Sequence, residues 1–78
     1  MDNNRLYKTI AEVLGVPSDS INDDSSPETI PTWDSLNHLN IVMALEFENG
    51  MSMEVEDVLE IHNVGLIRKT LRKYGVDV

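Results

Sequence analysis

Residues 36–47, "LNHLNIVMALEF", place eight apolar side chains among twelve positions at spacings that suit a helix. A helix this apolar has to be covered on more than one side. At 100° per residue Leu36, Met43 and Phe47 share one stripe, while Ile41, Val42 and Leu45 form another turned well away from it. Only one stripe can face the middle of a small core, so the other packs under a loop or meets a partner. Asp34 and Ser35 precede the segment as good N-cap residues, and Gly50 follows Asn49 as a stop.

The flanking sequence reads as helix and loop. Leu6, Ile10, Val13 and Leu14 predict a first amphipathic helix over residues 4–14, closed by Gly15 and Pro17. Residues 16–33 carry Pro17, Pro27 and Pro31 among Ser, Asp and Asn, which predicts a long loop with room for one short turn near 18–22. Val16, Ile21, Ile30 and Trp33 recur through it as anchors for packing onto a helical core. A short third segment over residues 54–59 has Glu54, Glu56 and Asp57 where a helix N-terminus favours negative charge. Asn63 caps the last helix, with Val64, Ile67, Leu71 and Tyr74 on one face and Gly75 at its end. No stretch alternates as a strand would. The expected fold class is therefore all-α: three principal helices and one short one, with a long loop between the first and second, in a single domain spanning residues 1–78.

Charge narrows the partners. All six basic residues lie near the ends (Arg5, Lys8, Arg68, Lys69, Arg72 and Lys73), and between positions 9 and 67 there are twelve carboxylates with no lysine or arginine. With a net charge of −8, such a surface repels nucleic acid and anionic lipid and attracts basic protein surfaces. The N-terminus is too acidic and too weakly apolar for a signal peptide, no apolar run could span a membrane, and there is no cysteine. A monomer in the cytoplasm is the expectation.

The remaining question is the Ser35 hydroxyl. A Ser-His-Asp triad would need an acid behind the histidine, whereas Asp34 precedes Ser35 on the same turn as His38, and no G-x-S-x-G elbow is present. Asp19, Asn22, Asp23 and Asp24 miss the calcium-loop pattern, with Ile30 where a closing Glu is needed, and His38 and His62 have no ligand-spaced companions. A metal site and catalysis are both excluded as expectations. Ser35 is then either a simple N-cap or a modified serine, because a phosphate ester at a helix N-terminus meets unpaired N–H groups and the positive end of the dipole. His38 reads as a solvated helix residue.

The run "WDSLNHLNIVMALE", in an acidic all-helical chain of this length, resembles the signature of acyl carrier proteins. The resemblance extends over essentially the whole chain and implies a small four-helix acyl-carrier-like bundle. It implies that Ser35 carries 4′-phosphopantetheine, donated from coenzyme A by a phosphopantetheinyl transferase, and that acyl cargo rides on the arm as a thioester for fatty-acid, polyketide or related specialised biosynthesis. Asp34 corresponds to the acidic residue that helps the transferase engage. Leu36, Met43 and Glu46 correspond to positions facing partners, namely acyl-loading, condensing or acyl-transferring enzymes with basic docking surfaces. Met53, Val58 and Ile61 are similar to the positions lining the acyl groove, with ordinary core packing as their other reading. On this resemblance the protein is no enzyme but a substrate of enzymes. A stand-alone aminoacyl or peptidyl carrier, and an unmodified interaction module on the same bundle, stay open beside it. Two departures stand out: the family commonly continues Glu-Glu-Glu-Phe-Gly where this chain has Glu46-Phe47-Glu48-Asn49-Gly50, and Asn40 stands where a glutamate is common. Either Phe47 is exposed and makes partner recognition more apolar, or it turns inward as core.

Overall fold

Two side-chain caps and a left-handed glycine set where the second helix begins and ends and where the last one begins. In the computed structural model, which describes residues 3–78, α1 spans Asn3–Leu14, α2 Ser35–Asn49, α3 Val55–Glu60 and α4 Val64–Lys73. Met1 and Asp2 of the expected domain lie outside the described residues. Asp34 starts α2 by accepting the Asn37 N–H, and Asn63 starts α4 by accepting the Leu66 N–H, each at 2.8 Å. Gly50 stops α2 at φ 59°, a left-handed conformation that a side chain would disfavour, and the next amide donates back to the Glu46 carbonyl. Among the described residues there is no strand, so the architecture is all-helical as expected.

The core is apolar and continuous. Leu6, Ile10 and Leu14 from α1 meet Ile41, Val42 and Leu45 from α2 and Val64, Ile67 and Leu71 from α4, with Ile61 beneath α3. Burying each of these side chains contributes about 1.5–3 kcal/mol, the main term opposing chain entropy in so short a polypeptide. The two stripes of α2 separate as their angles require. Ile41, Val42 and Leu45 are inside, and Leu36, Met43 and Phe47 are outside. Phe47 is 90% exposed, which removes the reading that it turns inward as core.

The long loop is ordered by two kinds of anchor. Ile21, Ile30 and Trp33 are buried and Val16 is half-buried, matching the apolar spacing, and Ser18–Ser20 forms a single 3-10 turn. A polar strap lies over α4 that apolar spacing does not reveal. The Val64 and Gly65 amides donate to the Ser25 and Asp23 carbonyls at 3.0 and 2.9 Å, so loop backbone occupies the N–H groups that open α4. A Cβ on Gly65 would stand 3.3 Å from the Asp23 carbonyl oxygen, which explains the glycine. The buried Arg68 guanidinium donates to Asp23 at 2.7 Å and to the Tyr7 hydroxyl at 3.2 Å, and Tyr7 donates to Asp23 at 2.8 Å. Arg68, and after it Tyr7, hold the Asp23 carboxyl below the usual carboxylate range.

Folding also interleaves charges that the sequence keeps in blocks. Arg5 approaches Glu48, Arg68 pairs with Asp23 and Lys73 with Asp57, so among the described residues three of the twelve central carboxylates are met by cations from near the chain ends.

Candidate functional site

Ser35 is the first residue of α2, and Asp34 does the capping. The Asp34 side chain takes the Asn37 N–H, its carbonyl takes the His38 N–H at 2.8 Å, and Asn37 donates back to the Thr32 carbonyl at 2.8 Å. This small network fixes the turn into the helix and leaves the exposed Ser35 hydroxyl with no role in it. The simple N-cap reading of Ser35 is therefore corrected, because the preceding residue is the cap.

Beside Ser35 lies an open cleft of about 480 Å³ between the start of α2 and α3. Asp34, Ser35, His38 and Leu39 form one wall, and Val58, Leu59 and His62 the other. Trp33 and Pro27 close its end. Its lining is mostly apolar, with Asp34, Ser35 and the two imidazoles as the polar members.

His38 departs from its expected place. It is half-buried, not solvated, and both ring nitrogens are engaged: the Trp33 Nε1–H lies 3.1 Å from Nδ1, and Nε2 lies 2.8 Å from the Val58 carbonyl oxygen. An indole N–H only donates and a carbonyl only accepts, so Nδ1 is the acceptor and Nε2 carries the hydrogen. The indole and imidazole planes also lie nearly parallel, 24° apart. With both nitrogens spent, His38 has none left to activate the Ser35 hydroxyl as a nucleophile.

The other expected residues fall in three places. Leu36, Met43 and Phe47 form an outward row along α2, with Leu36 68% and Met43 57% exposed. Glu46 sits half-buried beneath that row and accepts the Met53 N–H at 2.8 Å, tying down the segment that follows α2. Of the residues that the resemblance implies for the groove, Val58 lines the cleft, whereas Met53 lies beyond the other end of α3 and Ile61 is sealed in the core. Trp33, His38, Leu39 and His62 are the cleft residues that spacing missed. The available signal was a histidine and a tryptophan next to an apolar run, since each carries polar nitrogen that needs a partner once covered.

α3 itself is held unusually. None of its residues is buried, and its ties are polar: Asp57 accepts from Lys73 Nζ and from the Tyr74 hydroxyl, each at 2.6 Å, and Tyr74 accepts the Glu54 N–H at 2.8 Å. Lys73, followed by Tyr74, holds the Asp57 carboxyl below the usual carboxylate range. Among the described residues no group of three or more His, Asp or Glu side chains converges as metal ligands, and no helix is long and apolar enough to cross a membrane.

No protein-family model matches the chain. The chain is 34% identical over 61 residues to the acyl carrier protein of Saccharopolyspora erythraea, a stretch covering 78% of this chain and 64% of that protein. It thus spans a little under two thirds of the length of the curated relative it matches. With four helices in this order and Asp34-Ser35-Leu36 opening the second, the chain is similar to this acyl carrier protein over most of its own length.

Proposed function

We propose that the protein is a carrier and not a catalyst, with Ser35 as the attachment point of 4′-phosphopantetheine from coenzyme A. The observation that carries this reading is the Ser35 hydroxyl itself, exposed at the first position of a 15-residue helix and relieved of capping by Asp34. The residues present suit the group: a phosphodiester at Ser35 would meet the free N–H groups of the first turn and the positive end of the helix dipole, in solvent that tolerates its charge. When bound, the arm supplies a terminal thiol that holds cargo as a thioester. Engagement of both His38 nitrogens supports carriage over catalysis, because the histidine one turn from the serine has no nitrogen free to act as its base.

The partners on this reading are a phosphopantetheinyl transferase, approaching past Asp34, and acyl-loading, condensing or acyl-transferring enzymes of a cytoplasmic biosynthetic system. Their docking surface is the row Leu36, Met43 and Phe47, with the carboxylates around it selecting basic counterparts. Incubation with a promiscuous phosphopantetheinyl transferase and coenzyme A, followed by intact-mass measurement, tests the reading. The chain gains the mass of one arm, and Ser35→Ala gains none. An unchanged mass for the parent chain would instead support an unmodified interaction module. Loading the holo-protein with acyl and with aminoacyl donors then separates a fatty-acid or polyketide carrier from an aminoacyl or peptidyl one.

A further inference from the structure

His38 occupies a position that neither the core nor the attachment of an arm requires. Among the described residues its Nε2–H to the Val58 carbonyl is the one hydrogen bond that joins α2 to α3, and of the α3 side chains Val58 alone, half-buried, packs against the core. The same ring takes the N–H of the buried Trp33. A single imidazole thus links the loop, α2 and α3 at the cleft beside Ser35.

We propose that His38 is a positioning residue that ties α3 across this cleft, closed while its imidazole is neutral and released when the ring takes a second proton. The second proton has only one place to go, Nδ1, which then points an N–H at the indole N–H. Two donors face each other, and the buried indole loses its acceptor, which is costly without water to replace it. The imidazole is a rigid plane, so turning it away from Trp33 also withdraws Nε2 from Val58. α3 then keeps its polar ties to Lys73 and Tyr74 at the far side and the half-buried Val58 against the core.

The groups around the ring do not cancel this effect. From α2 the Asp34 carboxylate is engaged by the Asn37 N–H, from beyond α3 His62 lines the same cleft, α3 contributes apolar Val58 and Leu59, and the loop contributes Trp33. On the carrier reading, on which this consequence rests, a thioester lodged in the cleft is covered by α3 while the tie holds and bared when it breaks.

Trp33 is the only tryptophan, so its indole N–H gives one resonance that reports the bond directly. In the unmodified chain, that resonance and the amide resonances of residues 58–60 should move together when the solution is acidified from about pH 8 to about pH 5. His38→Gln, which still accepts and donates but does not titrate, should hold both sets still across that range, and His62→Gln should leave the coupled change intact. His38→Ala should loosen α3 at every pH, read as faster amide exchange with the circular dichroism of the other helices unchanged. Should His38→Ala fail to fold, the glutamine and His62 variants carry the test alone. Movement of residues 58–60 that survives His38→Gln, or no coupling between them and Trp33, would overturn the proposal. On the loaded protein, a butyryl thioester should hydrolyse several-fold faster in His38→Ala than in the parent or His38→Gln. Equal rates would overturn the shielding role. Failure to accept the arm at all would overturn the carrier reading, with the tie still judged on the unmodified chain.

Discussion

The side of the molecule built from α1, α4 and the loop strapped across them differs in its construction from the side built from α2 and α3. On the first, Leu6, Ile10, Ile67 and Leu71 are fully covered, and even the cation, Arg68, is inside and paired. On the second, α3 has no fully buried side chain, α2 turns Leu36, Leu39, Met43 and Phe47 outward while Ile41, Val42 and Leu45 join the core, and His38, Asp57 and Tyr74 supply polar ties to α3. Apolar burial does not weaken with small changes in pH or charge, while each polar tie depends on a protonation state. The molecule keeps its fold on one side and its adjustable surface on the other.

Breaking the first side should have the largest effect. Leu71→Ala leaves a cavity in the fully closed part of the core and should cost about 2–5 kcal/mol, much of the stability available to a domain of this size, as read from urea unfolding. Leu59→Ala, on the exposed face of α3, should change stability by less than about 0.5 kcal/mol in the same measurement. A comparable loss for both would erase the distinction between the two sides.

Next in size is the strap. Asp23→Ala removes the carboxylate that pairs with the buried Arg68 guanidinium at 2.7 Å. Removing one member of a fully buried pair costs about 3–5 kcal/mol, and because half of the Asp23 side chain is exposed, about 2 kcal/mol is expected here. Faster amide exchange at Val64 and Gly65 should accompany it, since their acceptors belong to the same loop.

A smaller effect should come from Asp57, with a definite sign in pH. Its carboxyl is held below its ordinary value in the folded protein, so its contribution is fully present above about pH 4 and is lost as pH falls through the lower folded value. The parent α3 should therefore loosen on acidification through that window, and Asp57→Asn should show the looseness already at neutral pH with a flatter acid limb. Amide exchange of α3 at a series of pH values measures this. An identical acid limb in both chains would show that Lys73 and Tyr74 do not hold the helix.

The smallest folding effect belongs to Phe47. Phe47→Glu should leave stability within about 0.5 kcal/mol, because the ring is 90% exposed, yet weaken binding to a dedicated acyl-loading or condensing partner about tenfold, as loss of an aromatic anchor does. Unchanged partner affinity would show that the apolar row on α2 is not a docking surface.

Much of this architecture is legible in the chain. Helix ends follow from Asp34, Asn63 and Gly50, because capping is a local hydrogen bond between a side chain and amides two or three residues on. The exposure of Ser35 is legible too, because a residue in the first turn of a helix that follows a polar loop has few neighbours to cover it. His38 was misjudged for the opposite reason. Its partners, Trp33 and the Val58 carbonyl, are five and twenty positions away, and the second is a backbone group that no residue type announces. Asp23 and Asp57 likewise read as members of an acidic coat until Arg68 and Lys73 fold back onto them.

By itself, then, the sequence determined the four helices, the residues that cap the second and the last, and the two separate stripes of α2, all set by period and by neighbours within one turn. The tertiary structure alone decided that Phe47 faces solvent, that Ile61 is core while Val58 lines the cleft, and that one imidazole joins α3 to the helix bearing Ser35. Periodicity says which residues share a face; what lies opposite that face is settled only when distant segments compete for the same buried surface.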